Sequence, residues 1–145
     1  MATGDVTVFD EAKANMIDSD WASTNDIKCA ICDNTVVPTA ATATPALGDF
    51  TEVGTAGTYV AGGTSLGTLA TLVTEAAGTM TFDSATNPTW AQHASNDTDA
   101  YWGIIYNDTI AGDPAIAFVE LGGPVDMSAG ALTITWNASG IFTIV

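Results

Sequence analysis

The chain has 145 residues, 47% of them hydrophobic, and it carries 17 acidic side chains against two basic ones, a formal net charge of −15. A surface of one charge sign repels phosphates, so the composition argues against a nucleic-acid partner. No apolar run approaches the roughly 20 residues that cross a bilayer, so no membrane partner is expected, and the length fits a single domain with one core.

The first predicted element is a short helix over residues 9–18. Phe9 and Ala12 recur at helical spacing, and Asp10 and Glu11 suit the positive end of a helix dipole. Such a helix is expected to cover one open end of a β-structure. The segment before it has neither the basic region nor the apolar core of a secretory signal, so the protein is expected to be made and folded in the cytoplasm.

A strand is predicted next, at IKCAIC. Its Cys29 and Cys32 have the CxxC spacing of many zinc and redox sites. However, a second CxxC pair is missing, the one histidine, His93, is distant in sequence, and residues three apart in a strand face opposite sides of the sheet. Both cysteines are therefore predicted to be reduced and structural, and neither a metal nor a cofactor is expected.

Residues 33–47 are predicted to form a long surface loop, because they combine two prolines with small residues and show no period. The loop is compatible with simple flexibility or with an arm that orders against another subunit. Four short strands are predicted after it, at FTEV, TYVAGG, TSLGTLATLVTEAAG and TMTFD.

Residues 87–99 form the most polar loop of the chain. Asn96, Asp97 and Asp99 carry oxygens of the kind that calcium binds, although a solvated acidic turn is the commoner explanation for such a group. His93 has no serine or cysteine nucleophile in a recognisable setting, and nothing selects a pair of carboxylates. No catalytic residues are therefore predicted, and the chain is not expected to be an enzyme.

The last third of the chain predicts four consecutive antiparallel strands, at YWGIIYND, AIAFVEL, ALTITW and IFTIV. Eight or nine strands in 145 residues predict an all-β domain over residues 1–145, a jelly-roll-type antiparallel β-sandwich with residues 1–28 as an N-terminal helix or arm. The predicted core contributors are Phe82, Trp102, Ile104, Tyr106, Phe118, Leu132, Ile134 and Trp136.

The order of these features resembles a group of small structural proteins of tailed-bacteriophage virions. The similar segments are the N-terminal helix, IKCAI, TYVAGG, TFDSATNPTW, AYWGIIYND, AIAFVEL and ITWNASGIF. The resemblance implies a virion component, most plausibly a capsid decoration or cement protein that binds the major capsid protein. A position on a local symmetry axis of the capsid favours a homo-oligomer, and a trimer most of all.

Both lysines lie within the first 28 residues, so the N-terminal segment over residues 9–32 is predicted to face an acidic capsid. The predicted capsid-contact residues are Val6, Val8, Lys13, Trp21 and Lys28. The alternative function is a tail-fibre or adhesin module, in which exposed rings of Trp90 and Tyr101 would stack on host carbohydrate.

Overall fold

Ten strands and two short helices form the regular structure in the computed structural model, which describes residues 3–15 and 21–144. The strands are β1 (Val6–Val8), β2 (Asp26–Cys32), β3 (Thr64–Thr68), β4 (Val73–Ala76), β5 (Thr79–Phe82), β6 (Thr89–Trp90), β7 (Ala100–Asn107), β8 (Ala115–Val125), β9 (Leu132–Thr133) and β10 (Phe142–Ile144). The helices are α1 (Asp10–Asn15) and α2 (Leu69–Leu72), and a 3-10 turn covers Leu47–Asp49.

The strands form three antiparallel sheets, with the orders β1-β8-β7-β2-β3, β10-β5-β4 and β6-β9. A Cβ added to Gly103 would lie 2.9 Å from the Ile134 Cδ1 and 2.9 Å from the Val119 Cγ1, so the chain just after β9 packs on the five-stranded sheet. The prediction of an all-β, sandwich-like fold is confirmed, whereas these strand orders do not confirm the jelly roll.

Strand β7 is buried on both faces, and Tyr101 is its one half-buried residue. It lies between β2 and β8, and Ile104 and Ile105 are both fully buried. On one face Trp102 meets the edge of the Phe118 ring, with ring centroids 6.1 Å apart. On the other face Ile134 packs against Gly103. A central strand covered by two layers reads as a continuous apolar run, which is what YWGIIY shows.

The four predicted C-terminal strands do not form one consecutive sheet. Only β7 and β8 pair with each other, whereas β9 pairs with β6 and β10 pairs with β5. Gly122 and Gly123 have positive φ, and Asp126 then accepts hydrogen bonds from the N–H groups of Ser128 and Ala129. The turn at Asp126 leads the chain from β8 to β9, which pairs with β6 and not with a strand of the main sheet.

All predicted core residues except Trp136 are buried; Trp136 is half-buried at the margin of the core. We therefore expect Trp136→Ala to lower the free energy of unfolding by about 1–3 kcal/mol, less than the roughly 3–5 kcal/mol expected for a core tryptophan such as Trp102. Urea unfolding of Trp136→Ala and Trp102→Ala would check this. Equal losses for the two variants would contradict it.

Helix α1 confirms the predicted N-terminal helix in part, because it begins at Asp10 and is described as far as Asn15. Residues 16–20, where the prediction continues, lie outside the described residues. Phe9, just before the helix, is fully buried, and its ring lies 5.0 Å from that of Phe118. The N-terminal segment is thus fixed to the face of the main sheet.

Two of the four strands predicted between residues 50 and 82 are wrong. FTEV forms only an isolated bridge from Glu52 to Cys32, and TYVAGG is a turn in which Gly62 and Gly63 have positive φ. The TSLGTLATLVTEAAG segment forms β3, α2 and β4 in succession, and TMTFD forms β5. Glycine pairs favour turns over strand continuation, which explains the loss of the second predicted strand.

The predicted loop over residues 33–47 has no regular element before its last residue, Leu47, which opens the 3-10 turn. Its main chain is hydrogen-bonded to other parts of the chain, because the Asp10 N–H donates to the Ala40 carbonyl and the Ala115 N–H donates to the Pro45 carbonyl. Val37, three residues before the first of these anchors, is 54% exposed.

Candidate functional site

Both lysines of the predicted capsid contact form ion pairs within the chain. The Lys13 Nζ lies 2.9 Å from Asp10, and the Lys28 Nζ lies 2.7 Å from Asp108. The hydrogen bond to Asp108 raises the pKa of the Lys28 ammonium above its usual value. Because each positive charge already has a carboxylate beside it, the lysines leave little net attraction for an acidic shell.

The predicted docking of residues 9–32 against a capsid stays a prediction, and within this segment β2 lies between β7 and β3 inside the main sheet. Five of the seven residues of β2 are buried, so this strand presents little surface to a partner. Val6 and Val8 lie in β1 at the edge of the sheet and are half-buried. They remain available at the rim of the fold.

Trp21 is half-buried and lines an apolar groove of about 340 Å³ on another part of the surface. The other walls of this groove, called here the Trp21 groove, come from Ser23, Leu69, Ala70, Val73, Met80 and Phe82. Helix α2 and the three-stranded sheet therefore place Trp21 beside side chains that come from distant parts of the sequence.

The stacking rings predicted for carbohydrate binding are not both exposed. Trp90 is only 6% exposed, because β6 lies against the core, and this corrects the expectation of an exposed ring. Tyr101, on β7, is half-buried and packs against the core. The two rings do not provide the pair of open platforms on which the adhesin hypothesis depends.

The two cysteines are free and buried in β2, which confirms the structural prediction for them. Burial raises the pKa of the Cys29 thiol to about 12 and also raises the pKa of the Cys32 thiol. At neutral pH both are therefore protonated thiols, and a thiol is a much weaker nucleophile than a thiolate.

Asn96 holds the polar loop together through its side chain. Its Oδ1 accepts a hydrogen bond from the Thr58 N–H at 2.8 Å, and its Nδ2 donates to the carbonyls of Ala91 at 2.9 Å and Met127 at 3.3 Å. Asp97, next along the chain, accepts a hydrogen bond from the Gly54 N–H. The predicted calcium ligands Asn96 and Asp97 therefore serve as loop anchors, and the described residues include no group of three or more metal-ligating side chains.

A second polar centre links β2 and β7 to the turn over residues 52–63. The Tyr59 hydroxyl donates to Glu52 at 2.6 Å and accepts a hydrogen bond from the Ile31 N–H at 3.1 Å. The same Glu52 carboxylate accepts from the Gly62 N–H, and the Tyr106 hydroxyl donates to the Gly62 carbonyl at 2.8 Å. We call these residues the Glu52 network; the sequence pattern did not reveal it, because TYVAGG reads as a strand.

The Glu52 network and the two thiols predict loss of stability at alkaline pH. Burial raises the pKa of Tyr59 and Tyr106, as it does for Cys29, so the folded chain holds protons that the unfolded chain releases. Their contribution is present at neutral pH and declines from about pH 8.5 for the thiols and about pH 10 for the phenols. Urea midpoints measured from pH 7 to pH 11 should therefore fall.

The control for this prediction is Cys29→Ala in combination with Cys32→Ala. The double variant removes the two thiols, so its urea midpoint should fall less between about pH 8.5 and pH 10 than that of the unmodified chain. A midpoint that stays constant up to about pH 11 in the unmodified chain would contradict the assignment.

A third surface feature is a groove of about 440 Å³ beside β9, which we call the β9 groove. Its walls come from residues 3–6, 119–121, 132–137 and 140–141. Trp136 lines it, and the indole Nε1 is buried without a hydrogen-bond acceptor among the described residues. A buried donor left in this way destabilises a fold by about 1–3 kcal/mol.

Comparison of the chain with protein-family models, curated proteins and solved structures finds no match. In the part of the chain that the structure describes, no helix is long and apolar enough to span a bilayer. The class defined by the fold is an all-β, sandwich-like domain with a strongly acidic composition.

Proposed function

We propose that the chain is a non-enzymatic structural protein of a tailed-bacteriophage virion that decorates and stabilises the outer surface of the capsid. The observation that carries the proposal is the use of carboxylates as loop anchors. Asp33, Asp49, Glu52, Asp97 and Asp126 each accept at least one hydrogen bond from a main-chain N–H. Anchored loops on a β-scaffold give a rigid, strongly acidic surface, which suits a part that coats a particle.

The partner in this proposal is the major capsid protein, and the chain reaches the virion after synthesis in the host cytoplasm. Apolar contacts from Val6, Val8 and Trp21 supply the affinity, because both lysines are already paired with carboxylates. A closed homo-oligomer, with a trimer favoured, places equivalent surfaces on a symmetry axis of the shell. Since copies with a charge of −15 repel each other, salt is expected to strengthen assembly.

The proposal is tested by adding the purified chain to capsids that lack it and measuring the bound copies per particle. We expect many copies in symmetry-related positions, and reduced occupancy for Trp21→Ala combined with Val6→Ala. Val60→Ala is the matched control, because Val60 is 69% exposed and belongs to neither groove. A few copies confined to the tail, with affinity for host glycans, would instead support the adhesin function.

A further inference from the structure

One edge of β9 carries main-chain groups that no described strand pairs with. On the other edge β9 pairs with β6, and the Ile134 N–H donates to the Pro88 carbonyl at 3.1 Å. Thr133 and Thr89 are opposite each other with their Oγ1 atoms 3.0 Å apart, as in a non-hydrogen-bonded pair. The N–H and C=O groups of Thr133, and those of Thr135 two residues on, therefore point away from β6.

This free edge opens onto the β9 groove, whose lining includes Thr133 and Thr135 but no residue of β6. The floor of the groove is apolar. Val6 and Val119 are cross-strand partners in β1 and β8, and cross-strand partners share one face of a sheet. Val119 meets Ile134 over Gly103, so this face is the one turned toward β9. A strand added beside β9 would cover the outer part of the main sheet.

Trp136 is part of the lining of the same groove, and its side chain is half-buried. Its indole N–H is buried without an acceptor among the described residues. Because this N–H has no contact with solvent, it does not face the open groove, and the strand site rests on the edge of β9 and on the apolar floor.

We propose that the β9 groove binds an extended segment of a partner protein, which adds as a strand to the free edge of β9. Strand addition takes affinity from main-chain hydrogen bonds and specificity from alternate side chains. The inference deepens the proposed function and rests on it, because the shell protein would supply the segment. It adds an inserted strand to the apolar contacts that Val6, Val8 and Trp21 make in the proposed function.

The chemistry of the segment follows from the groove and from the charge of the chain. Alternate residues that face Val6 and Val119 must be apolar, whereas the outward residues carry lysine or arginine. Asp5 and Glu120 are the charged residues of the groove lining, and the whole chain has a charge of −15. A second copy of the chain is disfavoured as the occupant, because it brings the same negative charge and both of its lysines are ion-paired.

The test uses the full chain and a short synthetic peptide in which valine and lysine alternate. Calorimetry should detect its binding, and a peptide with glutamate in place of lysine should bind more weakly. Thr135→Pro removes an N–H from the free edge and should weaken binding about tenfold, the change expected from one lost hydrogen bond together with the bulk of the ring. Thr135→Val keeps that N–H and should bind as the unmodified chain does.

Hydrogen exchange on the unmodified chain keeps the test independent of how Thr135→Pro folds. The peptide should slow exchange of the Thr133 and Thr135 amides, and a peptide N-methylated along one edge should not. Absence of peptide binding, or binding without protection of these two amides, would overturn the inference.

Capsid occupancy separates the two proposals. If Thr135→Pro, folded as judged by circular dichroism, decorates capsids as fully as Thr135→Val, the strand site is wrong and the decoration function stands. If the peptide protects β9 while the unmodified chain does not bind capsids, the decoration function is wrong and the strand site stands for another partner.

Discussion

Replacing Gly63 with alanine is expected to abolish the native fold or to lower the free energy of unfolding by more than about 4 kcal/mol. Gly63 has a φ of +70°, in the left-handed region that disfavours a side chain. A Cβ at this position would lie 1.9 Å from the Cys29 carbonyl oxygen and 2.6 Å from the Ala30 Cα. These atoms belong to the main chain of the central strand β2, which cannot move without disturbing its pairing with β7.

Urea unfolding followed by circular dichroism measures this effect. The matched control is Gly130→Ala, because no other residue comes within 4 Å of a Cβ built there, and we expect its stability to change by no more than about 0.5 kcal/mol. A loss below about 1 kcal/mol for Gly63→Ala would contradict the close approach of the turn over residues 60–63 to β2.

Replacing Asn96 with alanine is expected to lower the free energy of unfolding by about 3 kcal/mol. The change leaves the Thr58 N–H without its acceptor and the Met127 carbonyl without its donor, and it removes one of the two donors to the Ala91 carbonyl, the other being the Thr58 hydroxyl. Asn96 is itself 5% exposed, so water does not readily replace the lost amide. The loss is large because one side chain joins three segments of the chain.

Thermal and urea unfolding of Asn96→Ala would be compared with those of Asp99→Ala, an exposed substitution in the same loop. The Asp99 variant should stay within about 0.5 kcal/mol of the unmodified chain. If both variants lost the same amount of stability, the effect would belong to the loop as a whole rather than to the Asn96 amide.

The sequence predicts the buried strands well, because local composition determines them. β7 is a run of aromatic and β-branched residues, β2 combines its two isoleucines with small residues and cysteines, and both strands lie where the pattern places them. Strand pairing is predicted poorly, since the partner of β9 is β6, more than 40 residues earlier, and no local signal specifies it. The hairpin between β4 and β5 turns at Ala77 and Gly78, both with positive φ, where alanine gives a weaker signal than asparagine or aspartate.

The candidate site is predicted less well than the fold. The lysines lie where the sequence places them, but carboxylates close in space, Asp10 and Asp108, have already paired with them. Trp90 was expected to be exposed because it stands in a polar loop, and the two-residue strand β6 buries it. One edge of β9 is free because no described strand pairs with it there. A single sequence carries no signal that a strand will lack a neighbour on one side.

The strand orders also determine when this chain can fold during its synthesis. β1 pairs with β8, β5 with β10 and β6 with β9, so each of the three sheets needs a strand from the last third of the chain. Pairings of such high sequence separation form late and slowly. Each sheet therefore stays incomplete until its strand from the last third has been synthesised, and the mutual repulsion of chains with a charge of −15 opposes pairing between their open strands in the meantime.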